Sequence, residues 1–340
     1  MELSQYRPRT RLRVPGSRVE RASVPAVDAH NHLGRWLTGD WSVPDVGALL
    51  AVMDECNIRT IVNLDGRWDK ELEDNLDRYD RAHPGRFLTF CHVDWDELDR
   101  GGEALAASLR RSVDAGARGL KVWKDLGLHV RDAAGRLVLP DDPRLGELWE
   151  AAGELGVPVA IHTADPIAFF DPVDARNERY EQLLAHPDWS FADADRFPRF
   201  ERLMDALEAL VGGHPRTTFI AVHAGCQAED LGRVARMMEA YPNLHIDIAA
   251  RIAELGRQPR ATRDLILRFP GRVLFGTDEF PPNPETYATH FRFLETLDEH
   301  FPHSADDPPL MGRWHISGLG LPGYVLAQVY AYNAARLIGT

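Results

Sequence analysis

Eight short apolar runs are spaced along the chain, and the stretches between them carry helical periodicity. The runs are 24–30 (VPAVDAH), 59–64 (RTIVNL), 87–93 (FLTFCHV), 118–123 (RGLKVW), 157–162 (VPVAIH), 218–223 (TFIAVH), 244–248 (LHIDI) and 273–278 (VLFGTD). Runs of this length between turn signals suit parallel strands buried on both faces. Residues 45–57 set Val46, Leu49, Leu50 and Met53 on one helical face, and 102–115, 142–155, 201–211, 229–240 and 261–269 behave alike. This alternation predicts an α/β fold with a parallel sheet. A closed (β/α)8 TIM barrel is the simplest way to satisfy every strand edge. An open doubly wound sheet is the runner-up, weakened because no Gly-rich phosphate loop follows the first run.

Residues 1–23 read as an N-terminal extension and 24–340 as one barrel. Two connections are long. Between His162 and Thr218 lie 55 residues, of which 163–198 read as a lid-like insertion, and 40-odd residues separate Asp278 from a closing helix near 322–338. Long loops without regular structure of their own are usually lids or binding loops. Phe169, Phe170, Arg176, Arg179 and Trp189 enrich the first of them.

The length of 340 residues accommodates a barrel of roughly 250 with extensions. The net charge of −13 argues against a nucleic-acid partner, since phosphate neutralisation needs clustered Lys and Arg. Cys56, Cys91 and Cys226 form no CxxC pair, which makes a reducing cytoplasm the default compartment. Residues 1–25 lack the apolar core of a secretory signal, and no apolar run is long enough for a membrane span. The Arg, Ala and Gly richness suggests a bacterial source. The expected partner is a small-molecule substrate, with a homo-oligomer left open.

The sharpest chemical signal is Asp28-Ala-His30-Asn-His32, at the end of the first run. Residues 28, 30 and 32 share parity, so an extended chain turns them to one side. Two imidazoles at that spacing can ligate one ion, but an isolated His-x-His pair is equally a pair of loop histidines. The context decides: His162, His223 and Asp278 each close an apolar run before a loop signal (HTAD, HAG, TDEF). In a barrel, catalytic groups come from the C-terminal ends of strands, and packing alone does not explain so many His and Asp there.

The segments VDAHNHLG, IHTAD, FIAVHAG and LFGTD resemble the metal-binding strands of the amidohydrolase superfamily. The nearest branch is the amidohydrolase-related group that includes aminocarboxymuconate-semialdehyde decarboxylase and several lactone hydrolases. The likeness covers about residues 24 to 338, and the closing stretch GLGLPGYVLAQVYAYNAARLIG is similar to that family's last helix. The resemblance implies one divalent ion, zinc first with manganese or iron as alternatives, held by His30, His32, His162 and Asp278, with His223 beside it. Lys121, ending the fourth run, stands where other branches carry a bridging carboxylated lysine. It is read here as a substrate-contacting or ion-paired lysine.

Trp36, Trp68, Trp95 and Trp123 fall at or beyond the first four strand ends, as a ring-binding wall or as loop anchors. Arg67, Arg179, Arg251 and Arg257 are candidate carboxylate contacts near the mouth, with Lys124 a solvated surface charge. Lys121, Trp123, Arg67, Arg179 and Arg251 form the expected substrate-binding set. Asp165 would either orient the His162 imidazole or cap a turn, and Cys226 reads as a small buried residue. The first functional expectation is hydrolysis of a lactone, amide or ester by a metal-activated water. Asp278 would take the water's proton, and His223 would donate to the developing oxyanion or leaving group. Non-oxidative decarboxylation of a carboxylated ring is the alternative, and a non-catalytic ligand-binding barrel is third.

Overall fold

The computed structural model of the protein describes residues 5, 6 and 8–339. Eight parallel strands occupy the eight apolar runs: β1 (Ala26–Asn31), β2 (Ile58–Asn63), β3 (Phe87–Thr89), β4 (Leu120–Val122), β5 (Val159–Ile161), β6 (Phe219–Ala221), β7 (Leu244–Asp247) and β8 (Val273–Leu274). Regular pairing gives two arcs, β1-β2-β3 and β4-β5-β6-β7-β8. Backbone hydrogen bonds span both seams between them. Arg118 N donates to Thr89 O, Cys91 N to Gly119 O and Lys121 N to Cys91 O; at the other seam Ala29 N donates to Phe275 O and Asp278 N to His30 O. The sheet is a (β/α)8 TIM barrel.

The second seam is held by side chains as well. The buried Asp28 carboxylate accepts from Thr277 N at 3.0 Å, Thr277 Oγ1 at 2.7 Å and Tyr287 OH at 3.0 Å. Gly276 is required at this seam, because a Cβ there would lie 2.9 Å from His30 Cβ. Shared parity suggested that Asp28 faces the same way as His30 and His32. Instead the pairing register shifts between Asp28 and Asn31, and Asp28 is spent on barrel closure.

The expected helices form at Val46–Cys56, Gly102–Ala115, Gly146–Leu155, Phe200–Gly213, Leu231–Ala240 and Pro259–Arg268. Their apolar faces, Leu49 and Met53 in the first and Leu105 and Leu109 in the second, are buried against the barrel. Neither long connection is structureless. The first contains a helix at Tyr180–Ala185 and the second a helix at Pro284–Glu295.

Residues 163–198 carry their own apolar cluster, in which Phe169, Leu183 and Phe191 pack with Leu203 and Met204. Their polar contacts go to Lys124 beyond β4, Glu229 beyond β6 and Glu254 beyond β7, which sets the segment at the C-terminal end of the barrel. Among the described residues no helix is long and apolar enough to cross a membrane.

Candidate metal centre

The strand ends converge on one buried cluster. Asp278 Oδ1 lies 3.3 Å from His32 Nε2 and 3.7 Å from His30 Nε2, while Asp278 Oδ2 lies 4.0 Å from His223 Nε2. His30, His32 and Asp278 offer donor atoms all within 4.8 Å of one another. His223 and Asp278 sit just past their ladders with φ of 59° each, in the left-handed region, where the chain turns sharply out of β6 and β8.

A divalent ion fits this cluster. The Nε2 atoms of His30 and His32 are buried and have no hydrogen-bond partner, a costly arrangement unless something accepts their lone pairs. Their opposite edges are fixed. His30 Nδ1 faces Asp247 Oδ2 at 2.7 Å and His32 Nδ1 faces Asp65 Oδ1 at 2.8 Å. A carboxylate only accepts, so each Nδ1 carries a proton and each Nε2 can point a lone pair inward, the usual second-contact arrangement of a metal-binding histidine. Burial would raise the Asp278 carboxyl, but His30, His32 and Lys121 outweigh it and hold the group below the usual carboxylate range.

His162 stands beside this set. Its ring centroid is 4.4 Å from that of His223 and its Nε2 is 3.3 Å from Asp165 Oδ1, yet it is not among the donors grouped with Asp278. Burial pushes its imidazole down to about 3, so it is neutral. Both of its ring nitrogens are buried without an aligned partner. The His223 imidazole is likewise pushed well down by burial, and its Nδ1 lies 2.8 Å from Ala249 O. A carbonyl can only accept, so the proton of the neutral ring is on Nδ1 and Nε2 faces Asp278.

Beside the cluster lies a cavity of about 370 Å³, lined by Arg67, Trp68, His92, Trp95, Lys121 and Trp123 among others. The Arg67 guanidinium sits 4.8 Å from the Trp36 ring centroid and 4.1 Å from that of Trp68. Trp123 packs edge-on to His32, His162 and Trp36. Lys121 is buried, its Nζ has no hydrogen-bond partner, and burial lowers its pKa. A second cavity, about 480 Å³, is lined by Asp278 itself together with Glu279, Glu285 and Asp306.

The other charged candidates go elsewhere. Lys124 is no solvated surface charge: it is mostly buried in an ion pair with Asp165, because the insertion folds over it. Arg179 is buried against Glu254, so its charge is already engaged and it does not line the Arg67 cavity. Arg257 pairs with Glu178 at 2.9 Å and stacks on Trp314. Arg251 is buried, donates to Ala250 O and is close enough to His223 to lower its pKa. Cys226 is buried, as its sequence context suggested.

Sequence reasoning missed Asp65, just past the second apolar run (NLDG), and Asp247, next to last in the seventh (HIDI). It also missed His92, whose Nε2 lies 2.7 Å from Leu64 O under Trp36, and Asp125, which burial raises to about 6.

No curated protein sequence matches the chain. Solved structures do. A 2,6-dihydroxybenzoate decarboxylase from Rhizobium is similar at 19% identity and TM-score 0.60, covering 93% of this chain and 99% of the other. A dihydroxybenzoic acid decarboxylase from Polaromonas sp. JS666 with bound manganese and 2-nitroresorcinol is similar at 17% and 0.58, covering 93% and 97%. A 5-carboxyvanillate decarboxylase from Sphingomonas paucimobilis is similar at 16% and 0.57, covering 93% and 99%. At these identities the likeness speaks for the barrel. The family itself is given by the match of residues 27–340 to the model described as Amidohydrolase: the chain belongs to the amidohydrolase family of metal-dependent enzymes.

Proposed function

We propose that this enzyme is a metal-dependent, non-oxidative decarboxylase of a small carboxylated ring, in the class of hydroxylated benzoates. The observation that carries the reading is the cavity beside the histidine cluster. It has flat aromatic walls and the basic side chains of Arg67, Lys121 and Arg131 alongside the carboxylates of Asp94, Asp96 and Asp125, and the buried Lys121 amine has no hydrogen-bond partner. An aromatic carboxylate supplies both the ring and the charge. The resemblance to decarboxylases of ring acids supports the same choice over hydrolysis.

A divalent ion on His30, His32 and Asp278 would supply Lewis acidity toward a substrate oxygen. Arg67, held in place by Trp36 and Trp68, would bind the carboxylate or a ring hydroxyl, and Lys121 would neutralise it from below. Trp123 would stack on the ring and exclude water. His223 Nε2, unprotonated in the neutral ring, would first take up a proton from solvent and then pass it to the ring carbon that bears the carboxylate. The new C–H bond forms there, the C–C bond to the carboxylate breaks, its electron pair returns to the ring and carbon dioxide leaves. The proton consumed comes from solvent.

Hydrolysis of a lactone, amide or ester is the second reading. The ionised Asp278 favours it, since that carboxylate can take a proton from water.

The test is a carbon dioxide release assay on the Mn²⁺- or Zn²⁺-loaded protein with a panel of hydroxybenzoates, run beside lactones and amides. Carbon dioxide released from a ring acid is the expected result. Turnover of a lactone or amide, with none of the ring acids losing carbon dioxide, would remove the decarboxylase reading.

A further inference from the structure

The Asp247 carboxylate, at the end of β7, touches two members of the cluster at once. Its Oδ2 lies 2.7 Å from His30 Nδ1. Its Oδ1 accepts from the backbone N–H of His223 at 2.7 Å and of Ala249 at 3.1 Å. The first contact puts the His30 proton on Nδ1 and leaves Nε2 free to ligate. The second holds His223 at a φ of 59°, a conformation that non-glycine residues adopt only when their surroundings impose it.

We propose that Asp247 is a positioning residue that sets the His30 tautomer and the His223 backbone together, so that one carboxylate aligns the metal ligand with the proton-transferring imidazole. This rests on the reading of His30 as a metal ligand. Asp65 makes a useful contrast. One of its oxygens lies 2.8 Å from His32 Nδ1 and the other has no partner, so it orients a single imidazole.

Asp247→Asn separates positioning from simple support. Two backbone N–H groups face Oδ1 and one ring nitrogen faces Oδ2, so the amide oxygen stays with the two donors. The NH₂ group then faces His30 Nδ1. Because NH₂ only donates, His30 must accept there, and its proton moves to Nε2, the edge a metal would use.

The experiment uses the full chain, stripped with a chelator and titrated with Mn²⁺ in chelator competition. Imidazole tautomers are read separately from long-range ¹H–¹⁵N spectra of the metal-free protein at alkaline pH. Asp247→Asn is expected to bind Mn²⁺ about 10- to 100-fold more weakly than wild type. Its His30 should carry the proton on Nε2, and its metal-free Tm should stay near wild type because the backbone bonds survive. Asp247→Ala should also shift the His223 resonances, which Asp65→Asn leaves in place. Wild-type Mn²⁺ affinity in Asp247→Asn, or a His30 still protonated at Nδ1, would overturn the first half of the proposal. Unmoved His223 resonances in Asp247→Ala would overturn the second. Failure of the wild type to take up Mn²⁺ would count against the metal-site reading instead, and the tautomer spectra would still decide the role of Asp247.

Discussion

Arg179 and Glu254 form an ion pair in which the side chains are 1% and 2% exposed. The pair joins the 163–198 insertion to the short helix Ile252–Leu255 that follows β7. Two charges taken out of water are tolerable together and not apart. Removing one leaves the other uncompensated, at a cost of about 3–5 kcal/mol. Arg179→Ala and Glu254→Ala are therefore each expected to lower stability by that order in denaturant unfolding. A double replacement by apolar residues of similar size should lose much less. Single variants within 1 kcal/mol of wild type would show that the pair does not hold the insertion.

The metal centre has a pH signature. Burial alone would lower the His32 imidazole, but the carboxylates of Asp65 and Asp278 outweigh it and push it up to about 9 from 6.5. The folded state thus binds that proton more tightly than the unfolded chain does. The stability it contributes to the metal-free protein is fully present below about pH 6.5 and is lost as pH rises through about 9. An incoming ion must displace the same proton, so apparent metal affinity should climb over this window, by up to about tenfold per unit. The Tm of metal-free wild type should fall relative to His32→Gln between these pH values. Elemental analysis of the His30→Ala, His32→Ala double variant should show metal content far below wild type. Full metal retention in that variant would remove the assignment.

The barrel was legible because burial on both faces writes each parallel strand as an apolar run, and all eight runs carry a strand. The cluster was partly legible for a related reason: His30, His32, His162, His223 and Asp278 end such runs, and the barrel turns strand ends toward a common mouth. What stayed hidden is pairing. Asp247 meets His30 across 217 positions and Arg179 meets Glu254 across 75. Periodicity tells which way a side chain faces, not which partner waits there. Arg179 and Lys124 looked like free charges at the mouth for the same reason, since their carboxylates come from distant segments.

Arg67 is expected to govern recognition of the substrate's anionic group. Its guanidinium is stacked against two indoles, so its direction is fixed before substrate arrives. A hydrogen bond to a charged group contributes about 1.5–3 kcal/mol. Arg67→Ala should lower kcat/KM for a ring acid by about ten- to hundredfold, mainly through KM. Arg67→Lys should recover little, because a lysine neither stacks on the indoles nor offers the planar fork. An unchanged KM in Arg67→Ala would place the carboxylate elsewhere, with Arg251 the next candidate.

His223 is expected to serve proton transfer and not metal binding. Its Nδ1 is committed to Ala249 O, and its Nε2 stands 4.0 Å from Asp278 Oδ2. A second ion bridged by a carboxylated Lys121 is the competing role; His223 does group with His30 and Asp247, but the Asp247 oxygens are already engaged by the His30 ring and the His223 backbone, and the Lys121 amine has no hydrogen-bond partner. A general acid or base typically contributes about 10²–10⁴-fold to a rate. His223→Asn retains a polar side chain that can still donate to Ala249 O, so it should keep near-normal metal content while kcat falls on that scale. Anomalous diffraction at the metal edge gives the decisive contrast. Two ions about 3.5–4 Å apart, with a modified Lys121 between them and His223 bonded to the second, would overturn the single-ion arrangement and the proton-transfer role with it.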